Sequence, residues 1–139
     1  MKSSQDLLSS VLKTTQMGQI GIRSVLKCNV TGRMRTALQD QISEYDKIES
    51  EAHMLAESSL EELNPAIRKM SDVMTQTMLC GSNVNSKAAA MMIRGNTRGM
   101  IKSLKNLNQY DHSDQKVEAL ANKLLTCEEK NIKQMQGFV

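Results

Sequence analysis

Two groups of residues carry side chains that could do chemistry together. Glu49 and His53 stand one helical turn apart, with Glu57 a further turn on. An acidic residue and an imidazole at i and i+4 can hold a metal at a helix surface, and the same spacing also makes a solvated charge stripe. Glu128 and Asn131 stand three apart inside an apolar stripe that includes Leu120, Leu124 and Met135. A carboxylate at such a position is drawn into the interior, where it needs hydrogen-bond donors. Thr15, Gln19, Asn96 and Tyr45 are candidates to complete that buried polar layer with Glu128 and Asn131. Nucleophilic catalysis has no support. Cys28, Cys80 and Cys127 lack an evident His partner, and no G-x-S-x-G, phosphate loop, H-E-x-x-H or dinucleotide fingerprint is present. His112 reads as a turn residue.

The stretch Ser86–Leu107 (SKAAAMMIRGNTRGMIKSLKNL) carries two further patterns. Arg94, Arg98, Lys102 and Lys105 recur with helical period, a face that suits an acidic partner, a phosphate-bearing ligand or another subunit. The same face could be a solvated one, paired with nearby acids. Gly95 and Gly99 lie together on a flank, as Gly18 and Gly21 do near the N-terminus. A glycine inside a helix costs about 1 kcal/mol relative to alanine, so four of them need a reason: close approach of helices is the simple one, and a glycine face that admits a ligand is the alternative. The contact is expected between the first and fourth helices or across a dimer.

These residues are positioned by helices. A single proline and few glycines favour long ones. Apolar periodicity and caps predict long helices at 4–27, 33–57, 86–107 and 113–136, and a short one from Pro65 to Leu79. In the fourth helix Ala89, Ile93, Met100, Leu104 and Leu107 form the expected inner side. On the short helix Met70, Met74 and Met78 form a row expected to pack on the core against the second and fourth helices. Brief links at 28–32 and 109–112 make antiparallel neighbours, while the long connection at 58–85 makes the second and fourth helices parallel. The expected fold is therefore all-α, one domain over 1–139: a four-helix bundle with a long crossover carrying a short fifth helix.

The composition narrows the function classes. At 139 residues the chain can bury a real core. Aromatic residues are 2% of the chain and methionines number 11, so the interior must be filled by Leu, Met, Ile, Val and Ala. The net charge of +3 permits attraction to acidic surfaces. Nucleic acid would call for a denser patch or stacking aromatics, so a nucleic-acid partner is not expected. Three cysteines without C-x-x-C spacing suit a reducing compartment. No stretch approaches a membrane span and the N-terminus lacks an apolar signal core, so a cytoplasmic location is expected.

The segment Leu125–Met135 (LTCEEKNIKQM) resembles the last helix of ferritin-like and rubrerythrin-like proteins, in which E-E-x-H supplies iron ligands. With A-x-M-M-I-x-G and E-x-x-N-I, the chain resembles small bacterial ferritin-like domains of clostridial type whose function is uncharacterised. The resemblance implies a carboxylate-bridged di-metal centre built from a Glu on two helices and Glu-x-x-His on two others. Here Asn131 stands where the histidine after Glu128 belongs, and Ala52 stands where the histidine after Glu49 belongs. Thr15 or Gln19, and Asn96 or Thr97, occupy the remaining inward positions. Two carboxylates would neutralise two hard cations poorly, so an intact di-iron site is not expected.

The leading expectation is a non-catalytic, metal-free structural or interaction protein that self-associates, with a homodimer as the expected assembly. One alternative is an atypical metal site using Glu49, His53 and Glu128. Another is a binding module for an acidic partner through Arg94, Arg98, Lys102 and Lys105.

Overall fold

A computed structural model describes residues 1–139 and contains five helices and no strand: α1 (Ser4–Leu26), α2 (Gly32–Leu55), α3 (Ala66–Leu79), α4 (Val84–Asn108) and α5 (Gln115–Gln136). The starts follow from local chemistry. Ser3 caps α1 reciprocally: its hydroxyl accepts from the Asp6 amide, and the Asp6 carboxylate accepts from the Ser3 amide. Asp114 caps α5 through the Lys116 and Val117 amides. Gly32, at φ +59°, turns the chain from α1 into α2, a left-handed conformation that glycine adopts without strain. Asn85 does not cap α4. Its side chain bonds the Thr31 backbone on both sides, and Asn83 at φ 58° stands at the cap position instead.

Polar contacts fix the directions. Gln19 meets Asp46 and Gln16 meets Glu49, so α1 and α2 are antiparallel. Gln41 meets Gln134 and Glu51 meets Lys123, so α2 and α5 are antiparallel. Backbone bonds join Lys2 to Gln109 and Asp111 at the start of α1 and the end of α4. Ser103 meets Glu128 across α4 and α5. The four long helices thus make a bundle in which α2 and α4 run parallel at opposite corners, each packed on α1 and α5. The core holds Leu8, Ile22, Met34, Leu38, Ile48 and Leu124, among others. No helix is long and apolar enough to cross a membrane.

The connection from α2 to α4 runs outside α1. Gln5 donates to the carbonyls of Ser58 and Ser59, Lys13 pairs with Glu61, and Gln16 accepts from the Leu63 amide. Next, α3 lies on α1 and touches α4. Here the expected packing is corrected. The inward side of α3 is Ser71, Asp72, Thr75 and Leu79, held by Ser24 of α1 and by Lys27 at its C-terminal cap. Met70, Val73, Met74 and Met78 face outward, 47–66% exposed. The polar Ser24–Asp72–Lys27 contact orients the helix and turns its apolar row to the surface.

A second correction concerns α4. Its buried side is Ala88, Ala89, Met92, Asn96, Ser103 and Asn106, while Leu104 is exposed and Ile93, Met100 and Leu107 are half-buried. Three polar residues at the centre of the inner face draw the apparent apolar stripe to one side.

Candidate functional site

Tyr45 of α2 occupies the middle of the bundle. Its ring lies against Gly18 of α1, where an added methyl group would stand 2.7 Å from two ring carbons. Its hydroxyl donates to Asn96 Oδ1 of α4 at 2.9 Å and accepts from Asn131 Nδ2 of α5 at 3.4 Å. One residue from each long helix therefore meets at this level. Burial pushes the phenol above its ordinary range, with Cys127 and Glu128 adding to the shift and Asn131 opposing it. The other Asn131 contact is to Cys127 Sγ, whose thiol burial pushes up to about 11. Asn96 Nδ2 has no protein partner.

Glu128 is 1% exposed. Its Oε1 accepts from Ser103 Oγ at 2.9 Å. Its Oε2 sits in the notch left by Gly99, occupying the space of a methyl group there, with the Thr14 methyl behind it. Burial raises its pKa to about 7, and the Ser103 hydroxyl partly opposes that rise. The polar interior thus has two centres, one around Tyr45 and one around Glu128. Thr15 and Gln19 belong to neither. The Thr15 hydroxyl is buried without a partner, and Gln19 reaches outward to Asp46 at 2.8 Å and Glu49 at 3.4 Å.

The three residues of the alternative metal site stay apart. Glu49 takes its hydrogen bonds from Gln16 and Gln19, His53 faces Glu62 at 3.8 Å, and Glu128 is held by Ser103. No three His, Cys, Asp or Glu side chains gather closely enough to hold a metal ion. The donors at the bundle centre are a phenol, two amides and one carboxylate already bonded to a hydroxyl. They do not fit the di-metal centre that the ferritin-like resemblance implies, because too little negative charge faces one point.

The glycine expectation divides. Gly18 and Gly99 are sites of close approach, but each receives a side chain, Tyr45 and Glu128 respectively. Gly21 and Gly95 have nothing within 4 Å of an added methyl group. They are corrected: neither is a close-packing position, because their Cα atoms face away from the packed neighbours.

The outer face of α4 is different in kind. Arg94, Arg98, Lys102 and Lys105 are all exposed and none forms an ion pair. The helix contains no acidic residue. Residues 65–109 hold seven Lys or Arg and one acid, Asp72, for a net +6. At the opposite corner, α2 holds five acids and three Lys or Arg, for a net −2. Arg23 and Lys123 pair with Asp46 and Glu51 of that helix from α1 and α5. The bundle is therefore basic at the α4 corner and close to neutral at the α2 corner.

Four participants escaped the sequence reading. Ser103 and Thr14 complete the Glu128 pocket, and both were legible only as polar positions on the inward side of a helix. Tyr110 is fully buried. Its hydroxyl meets Ser4 Oγ at 2.7 Å and accepts from the Asp114 amide at 2.9 Å, which clasps the start of α1 to the α4–α5 turn. Arg35 donates to the carbonyls of Leu26, Cys28 and Val30 and so braces the α1–α2 turn.

No protein-family model matches the chain, and no curated protein or solved structure matches it either.

Proposed function

We propose that the chain is a non-catalytic protein-interaction module, a bundle of ferritin-like type in which the interior serves the fold and the outer face of α4 serves a partner. The observation that carries this reading is the unpaired basic stripe Arg94, Arg98, Lys102 and Lys105 on a helix with no acid. Seven of the other Lys, Arg and His residues stand in inter-element or local ion pairs with carboxylates. Leaving four cations unpaired on one face destabilises the folded chain slightly by self-repulsion, and an acidic partner relieves that repulsion. Ile101 and Leu104, both exposed on the same helix, add apolar contact. The filled centre supports the same reading, since Tyr45 and Glu128 already occupy the space that a reactive site would need.

The test is fluorescence anisotropy of a labelled polyglutamate peptide titrated with the protein. Binding is expected at low salt, with a steep loss as salt rises. Arg94→Glu/Arg98→Glu is expected to weaken it at least about tenfold, equivalent to about 1.4 kcal/mol. Binding that the double variant leaves unchanged contradicts the assignment of the face.

A further inference from the structure

We infer that the outer face of α3 is a soft-metal site, in which the thioethers of Met70, Met74 and Met78 hold one monovalent copper ion. The site lies on a different helix from the α4 stripe and does not depend on the reading of that stripe. The argument begins with an inversion. The polar side of α3 faces the bundle, and its apolar side faces out. Contacts from Ser24 and Lys27 to Ser71 and Asp72 fix it that way. Met70, Met74 and Met78 are 62, 59 and 47% exposed. A methionine that fills an irregular gap in a core needs no further account, but these three fill none.

Spacing makes them neighbours. The three stand at i, i+4 and i+8 of one helix. Each step of four residues turns the helix by only about 40° and rises about 6 Å, which leaves successive Cβ atoms about 5–6 Å apart. Met74 therefore stands between the other two. A methionine has three rotatable bonds beyond its Cα, and at these exposures its sulfur is free to turn toward a shared ion.

Donor chemistry decides the ion. Thioethers are soft and neutral, and among biological metals they select Cu(I). Hard dications need carboxylates, and the one acid of α3, Asp72, is turned toward Ser24 and Lys27. Arg68 and Lys69 precede the row, and Lys87 reaches the Cys80 carbonyl behind it. Their repulsion is twice as large for a dication as for a single positive charge. The competing soft donor is Cys80, an exposed thiol at the end of α3. Cys28 and Cys127 are half-buried, and burial raises both thiols, which leaves little thiolate at neutral pH.

The test is an anaerobic titration with Cu(I) of the chain carrying carbon-13 methionine methyl groups, in competition with the Cu(I) chelator bicinchoninate. One ion per chain is expected. The methyl signals of Met70, Met74 and Met78 are expected to move, and those of the buried Met34, Met92 and Met135 to stay. Met74→Leu/Met78→Leu keeps the apolar surface and removes sulfur. It is expected to weaken binding at least about tenfold, equivalent to about 1.4 kcal/mol, with the thermal midpoint unchanged. Cys80→Ser, Met54→Leu and Arg94→Glu/Arg98→Glu are each expected to bind as the wild type does. Binding that Met74→Leu/Met78→Leu leaves unchanged overturns the inference, as does loss of binding in Cys80→Ser. A wild type that takes up no Cu(I), or whose same three signals move with Mg(II), overturns it as well.

Discussion

At Gly18 and Gly99 the backbone faces the bundle interior, and a side chain from another helix lies where a methyl group would stand. At Gly21 and Gly95, about one turn away on the same two helices, a methyl group would meet nothing. All four carry the same propensity cost of about 1 kcal/mol. Only the inner pair gains packing in exchange. Gly18 lets the Tyr45 ring reach the centre, and Gly99 makes room for a buried carboxylate. The interior of this bundle is shaped around two polar side chains, whereas the outer surface of α1 and α4 is left open at its glycines.

The largest effect expected at the inner positions comes from Glu128. Burial raises its carboxyl from 4.5 to about 7, so between those values the folded protein holds this proton more tightly than the unfolded chain does. Its contribution to stability is full below about 4.5 and declines by about 3 kcal/mol as the pH rises to about 7. Glu128→Gln keeps the Ser103 contact and removes that slope. Urea unfolding of the variant and the wild type, at about pH 5 and about pH 8, is expected to show the variant gaining stability mainly at the higher pH. Equal differences at both values would mean that Glu128 is ionised in the fold.

Gly18→Ala comes next, with an expected loss of about 1–3 kcal/mol, because the Tyr45 ring is held by Asn96 and Asn131 and cannot withdraw freely. Gly99→Ala acts in the same direction by pushing the Glu128 carboxyl out of its notch. Tyr45→Phe leaves Asn131 without its hydroxyl partner and Asn96 Oδ1 without a donor, at a cost of about 1–2 kcal/mol. The smallest effects have the opposite sign. Gly21→Ala and Gly95→Ala are each expected to stabilise by about 0.5–1 kcal/mol. Denaturant midpoints for the four alanine variants compare the two pairs directly, and a loss at Gly95 as large as that at Gly99 would erase the distinction.

Helix existence was legible from caps and period: the expected bounds 4–27 and 65–79 differ from Ser4–Leu26 and Ala66–Leu79 by a residue. Helix phase was legible on α1 and α5, where Leu8, Leu12, Ile22, Leu120 and Leu124 mark one side plainly. It was less so on α4, because Ser103 and Asn106 share the inner face with Asn96 and a hydrophobicity period reads those two as outward. On α3 the same rule failed more completely. A small polar contact, Ser24 with Asp72, decides which side faces α1, and no periodicity carries that information. Tyr45, Asn96, Glu128 and Asn131 were recognisable as inward polar residues. Their division into two centres depends on which glycine each side chain finds, a tertiary fact. The basic stripe of α4 was present in the sequence, but that it stands unpaired required knowing that no carboxylate of a neighbouring helix reaches it.

The most direct measurement pairs stability with binding in two variants. Arg94→Glu/Arg98→Glu and Gly99→Ala are each followed by thermal unfolding and by anisotropy with labelled polyglutamate. Binding at low salt is expected to vanish in the first variant with the unfolding midpoint unchanged. In the second, the midpoint falls while the folded protein binds as the wild type does. Loss of binding in Gly99→Ala at a temperature where it is fully folded, with binding retained in Arg94→Glu/Arg98→Glu, would contradict the account and move the functional site into the bundle interior.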